Sequence, residues 1–384
     1  VKRWLISLSR LAMRFELWYP SVLMLSFAGS LDRLATPIKD RLSYAILLSS
    51  RDSRARHAYL RLLRKNLDSS ADANLWLASM AQRLGRYRLA SLLYRRTARQ
   101  SQKPLELAVA RSMAELTGGI VTGSLEALIA QAVDRLALAP KEDVVLITAG
   151  QRYLELFELW LEQARKFVHG RIVGIAMDQA SKEALSNRLA GAVIDFSAFF
   201  VFDDNGKIYD RPRGSLWVLR VLLLRELVSR GHKLLSIDLD AIVVGDLSAM
   251  LANFPEADII AQQDWSIPVD VARKLGFVLC CGFMVFFPTA ATKAFLERYA
   301  RRTMQEIDDQ LAINHMLLEA GVSDRAPVAG GFTFRSDGVR WICPDKNLVS
   351  RDIASGTVVR HFDVARDFEG AGASVAELRA RLPL

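Results

Sequence analysis

Cysteine is nearly absent from this chain: 384 residues contain three, Cys280, Cys281 and Cys343. A vicinal pair and one distant thiol make neither a disulfide framework nor the spacing of a zinc site, so a reducing compartment is the default expectation. Long apolar runs are missing too. Nothing reaches the roughly 18 uninterrupted apolar residues of a spanning helix, because Arg10, Arg14, Glu16 and Pro20 break up the greasy N-terminus. No small-residue cleavage site closes a clean apolar core there, so a secretory signal is not expected. Glycine (22) and proline (11) are too few for collagen-like or low-complexity chains, and 51% hydrophobic with 24% charged residues excludes disorder. What remains is a folded globular chain, too long for one small domain.

Acidic residues are scarce in one part only. Residues 1–142 carry 23 Lys+Arg against 11 Asp+Glu, whereas 143–384 carry 28 against 31, so the net charge of +9 belongs to the N-terminal part. Such a surface suits an anionic partner, a membrane surface or a polyanionic glycan; a solvated Arg-rich helical face is the alternative. Nucleic acid is chemically admissible, but no such partner is expected from the rest of the chain. Within residues 1–30, Trp4, Leu5, Phe15 and Trp18 interleave with Lys2, Arg3, Arg10 and Arg14. That is the composition of a helix lying on an anionic membrane, or of one packed onto the helices that follow.

From about 38 to 138 the apolar spacing is helical, and Ala, Leu and Arg dominate. Leu77, Ala78, Gly85, Tyr87, Ala90 and Tyr94 fall at the intervals of a tetratricopeptide (TPR) repeat, so one TPR-like hairpin is expected at about 70–103 in an all-helical N-terminal domain, 1–140. Packing against the following domain, or binding an acceptor, are its candidate uses. After Ala139-Pro140 the pattern switches to short apolar strands alternating with helices: Val144 to Thr148, a helix from about Arg152 to Phe167, Ile172 to Ala176, Ala192 to Phe196, and a helix from Leu216 to Ser229 ending at Gly231. The alternation predicts an α/β domain over 141–384, with a mostly parallel sheet covered on both faces.

The strand Leu234 to Ile237 runs straight into Asp238-Leu239-Asp240. Ligands in open α/β sheets sit beyond the carboxyl ends of strands, which is where these acids stand. Two carboxylates at i and i+2 beside a buried strand repel each other unless a cation compensates them, and oxygen ligands favour Mg2+ or Mn2+. A lone DxD also caps helices or marks turns, so its surroundings decide. Asp246, further on, reads as a turn or helix cap.

Those surroundings resemble a known family. Trp217 to Arg220, followed by the run from Gly231 to Asp246 (GHKLLSIDLDAIVVGD), is similar to the DxD segment of GT-A-fold nucleotide-diphospho-sugar transferases, closest to the family 77 group and more distantly to family 8 retaining enzymes. In the same order, Val144 to Ala149 with Tyr153 resembles the nucleotide-binding first strand, Gly282 to Phe286 the glycine-containing strand of the donor pocket, Asp309-Gln310 with Asn314 the start of a family helix, and His361-Phe362 the C-terminal metal histidine. The likeness covers roughly 143–365. It implies a GT-A (Rossmann-like) catalytic domain and a divalent cation, Mn2+ or Mg2+, on Asp238, Asp240 and His361, where it would neutralise a nucleotide-diphosphate leaving group. It implies a donor site from Thr148, Ala149, Tyr153, Arg220, Asp238, Asp264 and Gly282, with Asp309 or Gln310 opposite the leaving group as the catalytic residues. Arg220 is otherwise an exposed helix arginine, His361 a surface or satisfied histidine, and Asp308 and Asp309 acids at a helix start. Cys280 or Cys281 stands where relatives commonly have Asn.

The resemblance implies sugar transfer, with retention, from a nucleotide-sugar, a UDP-sugar by expectation, to a glycan, lipid-linked glycan or protein acceptor. The Arg-, Ala- and Leu-rich usage suggests a bacterial gene, hence surface polysaccharide or lipopolysaccharide synthesis, in the cytoplasm or peripherally at the inner face of the membrane. Two rivals remain. A haloacid-dehalogenase-type phosphatase also places DxD after a strand, with an Asp nucleophile and Mg2+, but Ile242 replaces the usual Thr and about three strand-helix units precede the motif. A noncatalytic TPR-like scaffold with a degenerate transferase domain is the other; the intact Asp238, Asp240 and His361 argue against it.

Overall fold

A computed structural model describes residues 71–202, 210–264, 267–350, 356–362, 375–380 and 382. The membrane-surface segment expected at 1–30 and the helical stretch before residue 71 lie outside the described residues. Those described form two compact units: 71–126 with 210–215 and 304–307, and the remainder from Ala127 onward.

The first unit contains α1 (Ala71–Arg83), α2 (Tyr87–Gln100) and α3 (Pro104–Thr122), and α4 (Ser124–Arg135) begins in it. Gly85 joins α1 to α2 at φ +68°, a conformation that costs other residues a Cβ clash. The N–H groups of Gly85 and Arg86 then close onto the carbonyls of Gln82 and Ala81, both at 2.8 Å, finishing α1. Leu77, Ala78, Ala90 and Tyr94 are fully buried, and the Tyr94 hydroxyl donates to Gln82 Oε1 at 3.3 Å. Pro104 opens α3, where its missing N–H costs nothing. Among the described residues no single helix is long and apolar enough to cross a membrane.

The second unit runs β1 (Val144–Ala149), α5 (Leu154–Phe167), β2 (Arg171–Ala176), α6 (Gln179–Arg188), β3 (Val193–Asp195), α7 (Asp210–Ser229, entering from the first unit), β4 (Leu234–Ile237), β5 (Ala241–Val243), α8 (Leu247–Ala252) and β6 (Ile259–Asp264). It continues with α9 (Val269–Leu275), β7 (Val278–Phe286), α10 (Ala290–Glu306, whose last residues belong to the first unit), α11 (Asp309–Ala320), β8 (Ser323–Val328), β9 (Gly331–Ser336), β10 (Val339–Pro344), β11 (Val349–Ser350), β12 (Val359–His361) and α12 (Val375–Ala380).

Nine strands form one sheet in the order β3-β2-β1-β4-β7-β6-β10-β9-β8. The pairings make β7 and β9 the two that run against the other seven, so the sheet is mostly parallel, as the alternating pattern predicts and as the resemblance to GT-A-fold enzymes implies. All nine residues of β7 and all four of β4 are buried, matching their unbroken apolar runs. A second sheet, β11-β12-β5, carries the chain just after Asp240.

Strand β6 runs on to Asp264, because Gln262, Gln263 and Asp264 pair with Cys280, Leu279 and Val278 beyond a register shift. The hairpin β9–β10, turning through Asp337 (φ +53°) and Gly338 (φ +78°), was not among the expected elements. Asp-Gly is nonetheless a strong two-residue hairpin signal.

Trp160 of α5 is fully buried, and its indole N–H donates to the Ala241 carbonyl at 3.1 Å, fixing the start of β5 from below the acidic turn. Trp160→Ala is expected to lower stability by about 3–5 kcal/mol through the lost packing. Urea denaturation followed by far-ultraviolet circular dichroism measures it.

Candidate metal centre

Strand β4 ends at Ile237, and the next four residues make a tight turn closed by the Ala241 N–H donating to the Asp238 carbonyl at 3.0 Å. The turn leaves Asp238 and Asp240 at the carboxyl edge of the sheet. Strand β12 then runs antiparallel to β5 with His361 opposite Ala241, and the Phe362 N–H donates to the Asp240 carbonyl at 2.8 Å. By this register a histidine far away in sequence comes to stand beside the acids. Ligand atoms of Asp238, Asp240 and His361 all lie within 4.8 Å of one another, and His361 Nε2 is 3.4 Å from Asp240 Oδ1. The sequence-predicted ligand set is thus one cluster in space.

Gly282 makes room for it. A Cβ at that position would lie 2.4 Å from His361 Cε1, 2.9 Å from Nε2 and 3.2 Å from Asp238 Oδ2. The Asp238 N–H donates to the Gly282 carbonyl at 2.9 Å, so β7 passes directly against the cluster. The register of β6 on β7 jumps from Ala261↔Met284 to Gln262↔Cys280, which leaves Gly282 in the irregular stretch. Gly282→Ala is expected to weaken Mn2+ binding at least about tenfold by displacing the imidazole, as read by electron paramagnetic resonance of free Mn2+.

Electrostatics mark the cluster as short of positive charge. Burial, together with the Asp240 and Asp309 carboxylates, pushes the Asp238 carboxyl up from its ordinary range against the pull of Arg220 and His361. Burial opposes charge on the His361 ring, yet Asp240 and Cys280 hold its pKa well above that of an ordinary histidine. A proton on the ring is thus held where a divalent cation would satisfy the same carboxylates. Two carboxylates, one imidazole and a space kept clear by glycine fit a hard divalent ion such as Mn2+ or Mg2+.

Arg220 is not an exposed helix arginine. It is 4% exposed, lies 4.7 Å over the Trp217 ring, and donates from Nη1 to Asp238 Oδ1 at 2.6 Å. Its Nε donates to Asp309 Oδ2 at 3.1 Å, and Nη2 makes a short contact to the same oxygen. Asp309, 3% exposed, accepts the Gln310 N–H on its other oxygen at 2.8 Å. One guanidinium therefore bridges a metal-site carboxylate and the first residue of α11.

Asp308 is the N-cap of α11, accepting the Leu311 N–H at 2.8 Å, and Asp246 likewise caps α8 through the Ala249 N–H at 2.9 Å. Asn314 is fully buried and clamps α11 to β7: it accepts the Leu279 N–H at 2.7 Å and donates to the Leu279 carbonyl at 2.8 Å. The Gln310 side chain donates to the Ile267 carbonyl at 3.0 Å. Thr148 and Ala149 end β1, whose pairing Leu146↔Ser236 carries Thr148 to the same edge as Asp238, and Tyr153 follows in the next turn. Asp264 ends β6, two residues after Gln262 and so on the same face.

Two residues around the cluster, Gln262 and Tyr299, were not anticipated. Gln262, 3% exposed, meets His361 Nδ1 at 2.6 Å through Oε1. Of the two vicinal cysteines it is Cys280 that approaches the same nitrogen, at 4.0 Å, whereas Cys281 Sγ lies 3.5 Å from the Tyr299 hydroxyl. Tyr299 donates to the Asp309 carbonyl at 3.1 Å and stacks on Phe295, which meets Trp341 edge-on, so an aromatic cluster braces the start of α11. A glutamine on a buried strand face and a tyrosine at helical spacing carry no distinguishing sequence signal.

No curated protein matches the chain. The family described as nucleotide-diphospho-sugar transferase matches residues 168–364, just over half of the chain, a span that holds Arg220, Asp238, Asp240, Asp264, Gly282, Asp309, Gln310 and His361 but not Thr148, Ala149 or Tyr153. That assignment displaces the phosphatase alternative, which belongs to a different fold family. Sugar transfer is the chemistry this match supports: the chain belongs to the nucleotide-diphospho-sugar transferase family.

Proposed function

We propose that the chain transfers a sugar from a UDP-sugar, with retention and with the help of Mn2+ or Mg2+, to a glycan, lipid-linked glycan or protein acceptor. The carrying observation is the cluster of Asp238, Asp240 and His361 around Gly282 at the carboxyl edge of the sheet, inside the matched span. These three residues would hold the cation, which when bound supplies Lewis-acid neutralisation of the leaving diphosphate. Arg220 orients Asp309 through a charge-assisted hydrogen bond, so that the carboxylate favours positive charge developing on the sugar. Gln310 stands next to it, tied to the Ile267 carbonyl. Asp264, at the end of β6, is positioned to read sugar hydroxyls, and Thr148, Ala149 and Tyr153 to line the nucleotide.

The membership closest to family 77, the division at about residue 140 into a TPR-like helical domain and a GT-A domain, and a place in bacterial surface polysaccharide or lipopolysaccharide synthesis belong to the same proposal. The location is the cytoplasm, peripherally at the inner face of the membrane. Incubating the full chain with a panel of nucleotide-sugars, with Mn2+ or with chelator, tests the central reading: Mn2+-dependent release of nucleoside diphosphate from one donor is expected. No turnover and no binding of any donor would leave the scaffold reading in its place. Removing residues 1–30 is expected to weaken binding to anionic liposomes in a salt-sensitive way; unchanged cosedimentation removes the membrane contact.

A further inference from the structure

We infer that Gln262 is the positioning residue of the metal centre: its side-chain oxygen accepts the Nδ1 proton of His361 and so makes Nε2, on the side of Asp238 and Asp240, the nitrogen that can ligate. The inference rests on the metal reading above. A neutral imidazole carries one proton, and the nitrogen that holds it cannot ligate. The structure puts the short contact on Nδ1, 2.6 Å to Gln262 Oε1, and leaves Nε2 on the acid side, 3.4 Å from Asp240. Cys280 Sγ, at 4.0 Å from Nδ1, is a weak partner by comparison.

The placement is built into the backbone. β12 lies in the small sheet and β6 in the large one, so the Gln262–His361 hydrogen bond joins two separate sheets at the cluster. The register shift between Ala261 and Gln262 is the feature that sets Gln262 opposite Cys280, level with the ring. A glutamine there is buried to 3% exposure, a costly place for an amide unless its polar atoms are used. The opposite arrangement, with the amide nitrogen donating to Nδ1, would force the proton onto Nε2 and close the ring to metal.

Titrating Mn2+ into the full chain, with free Mn2+ read by electron paramagnetic resonance, compares wild type with His361→Ala, Gln262→Leu and Gln262→Glu. Gln262→Leu keeps the volume and removes the acceptor; Mn2+ affinity is expected to fall about 10- to 100-fold. Gln262→Glu keeps an oxygen for the same proton and is expected to bind Mn2+ as tightly as wild type or more so, a rescue that a mere packing role would not give. The Mg2+-loaded, 15N-histidine-labelled wild type supplies a reading independent of any variant's folding: the resonance lost in His361→Ala should report a proton on Nδ1. An Nε2-protonated ring overturns the inference, as does wild-type Mn2+ affinity in Gln262→Leu while His361→Ala is impaired. Unchanged affinity in His361→Ala overturns the metal reading itself, and this inference with it.

Discussion

Asp238→Asn is expected to reduce Mn2+-dependent donor turnover by roughly 100- to 1,000-fold, the scale on which removal of one electrostatic stabiliser of a developing anion acts. The reason is local. Asp238 supplies one of the two carboxylates of the cluster, and an amide oxygen carries no net charge toward a divalent ion. The fold should survive, because Asp238 is crowded by Asp240 and Asp309 and its carboxyl is pushed up from the ordinary range by burial and those neighbours. Neutralising it relieves repulsion, while Arg220 keeps its pairing with Asp309. Without metal, the melting temperature of the variant should therefore equal or exceed that of wild type. With Mn2+ the order should reverse: at a hundredfold excess over Kd, a ligand specific for the native state adds about 2.7 kcal/mol, and only the wild type receives it. Calorimetry with and without Mn2+, beside a donor hydrolysis assay, measures both halves. A variant that keeps both turnover and the Mn2+-induced shift removes Asp238 from the site.

The acidic turn was readable because strand and chemistry are adjacent in sequence: a four-residue buried run ends where two carboxylates begin, and the structure leaves β4 within those bounds. The alternation of strands and helices that fixes a mostly parallel sheet was equally plain, since short apolar runs and amphipathic stretches have different periods. His361 was found only through family resemblance. No local pattern says that a three-residue strand will lie against β5, because antiparallel register across so long a separation is decided by packing. Arg220 shows the same gap more sharply. On its own helix it could have been surface or core, and its burial follows from carboxylates in two other places, the turn after β4 and the start of α11. Gln262 was invisible for a further reason: Gln262-Gln263-Asp264 reads as a polar loop, and only the shifted pairing with β7 keeps it in the strand.

Arg220→Met is expected to destabilise the protein by about 3–5 kcal/mol, the cost of stranding a buried partner of an ion pair. Both side chains of the Arg220–Asp309 pair are 5% exposed, so Asp309 would be left with the Gln310 N–H and no cation. Asp238, whose side chain is 34% exposed, can recover hydration instead and should contribute less to the loss. The double variant Arg220→Met, Asp309→Leu fills the same space with apolar groups, and buried pairs replaced in this way are often neutral in stability or better. Most of the lost stability should therefore return. Turnover should not return if Asp309 acts opposite the leaving group as proposed, because that charge and the cation that orients it are both gone. A double-mutant cycle in urea, with donor turnover measured on the same four proteins, separates the structural role from the chemical one. Recovery of stability without activity is the expected outcome. If turnover persists in Arg220→Met, the pair lies outside the chemistry; if stability fails to return in the double variant, the two side chains are not coupled as their geometry demands.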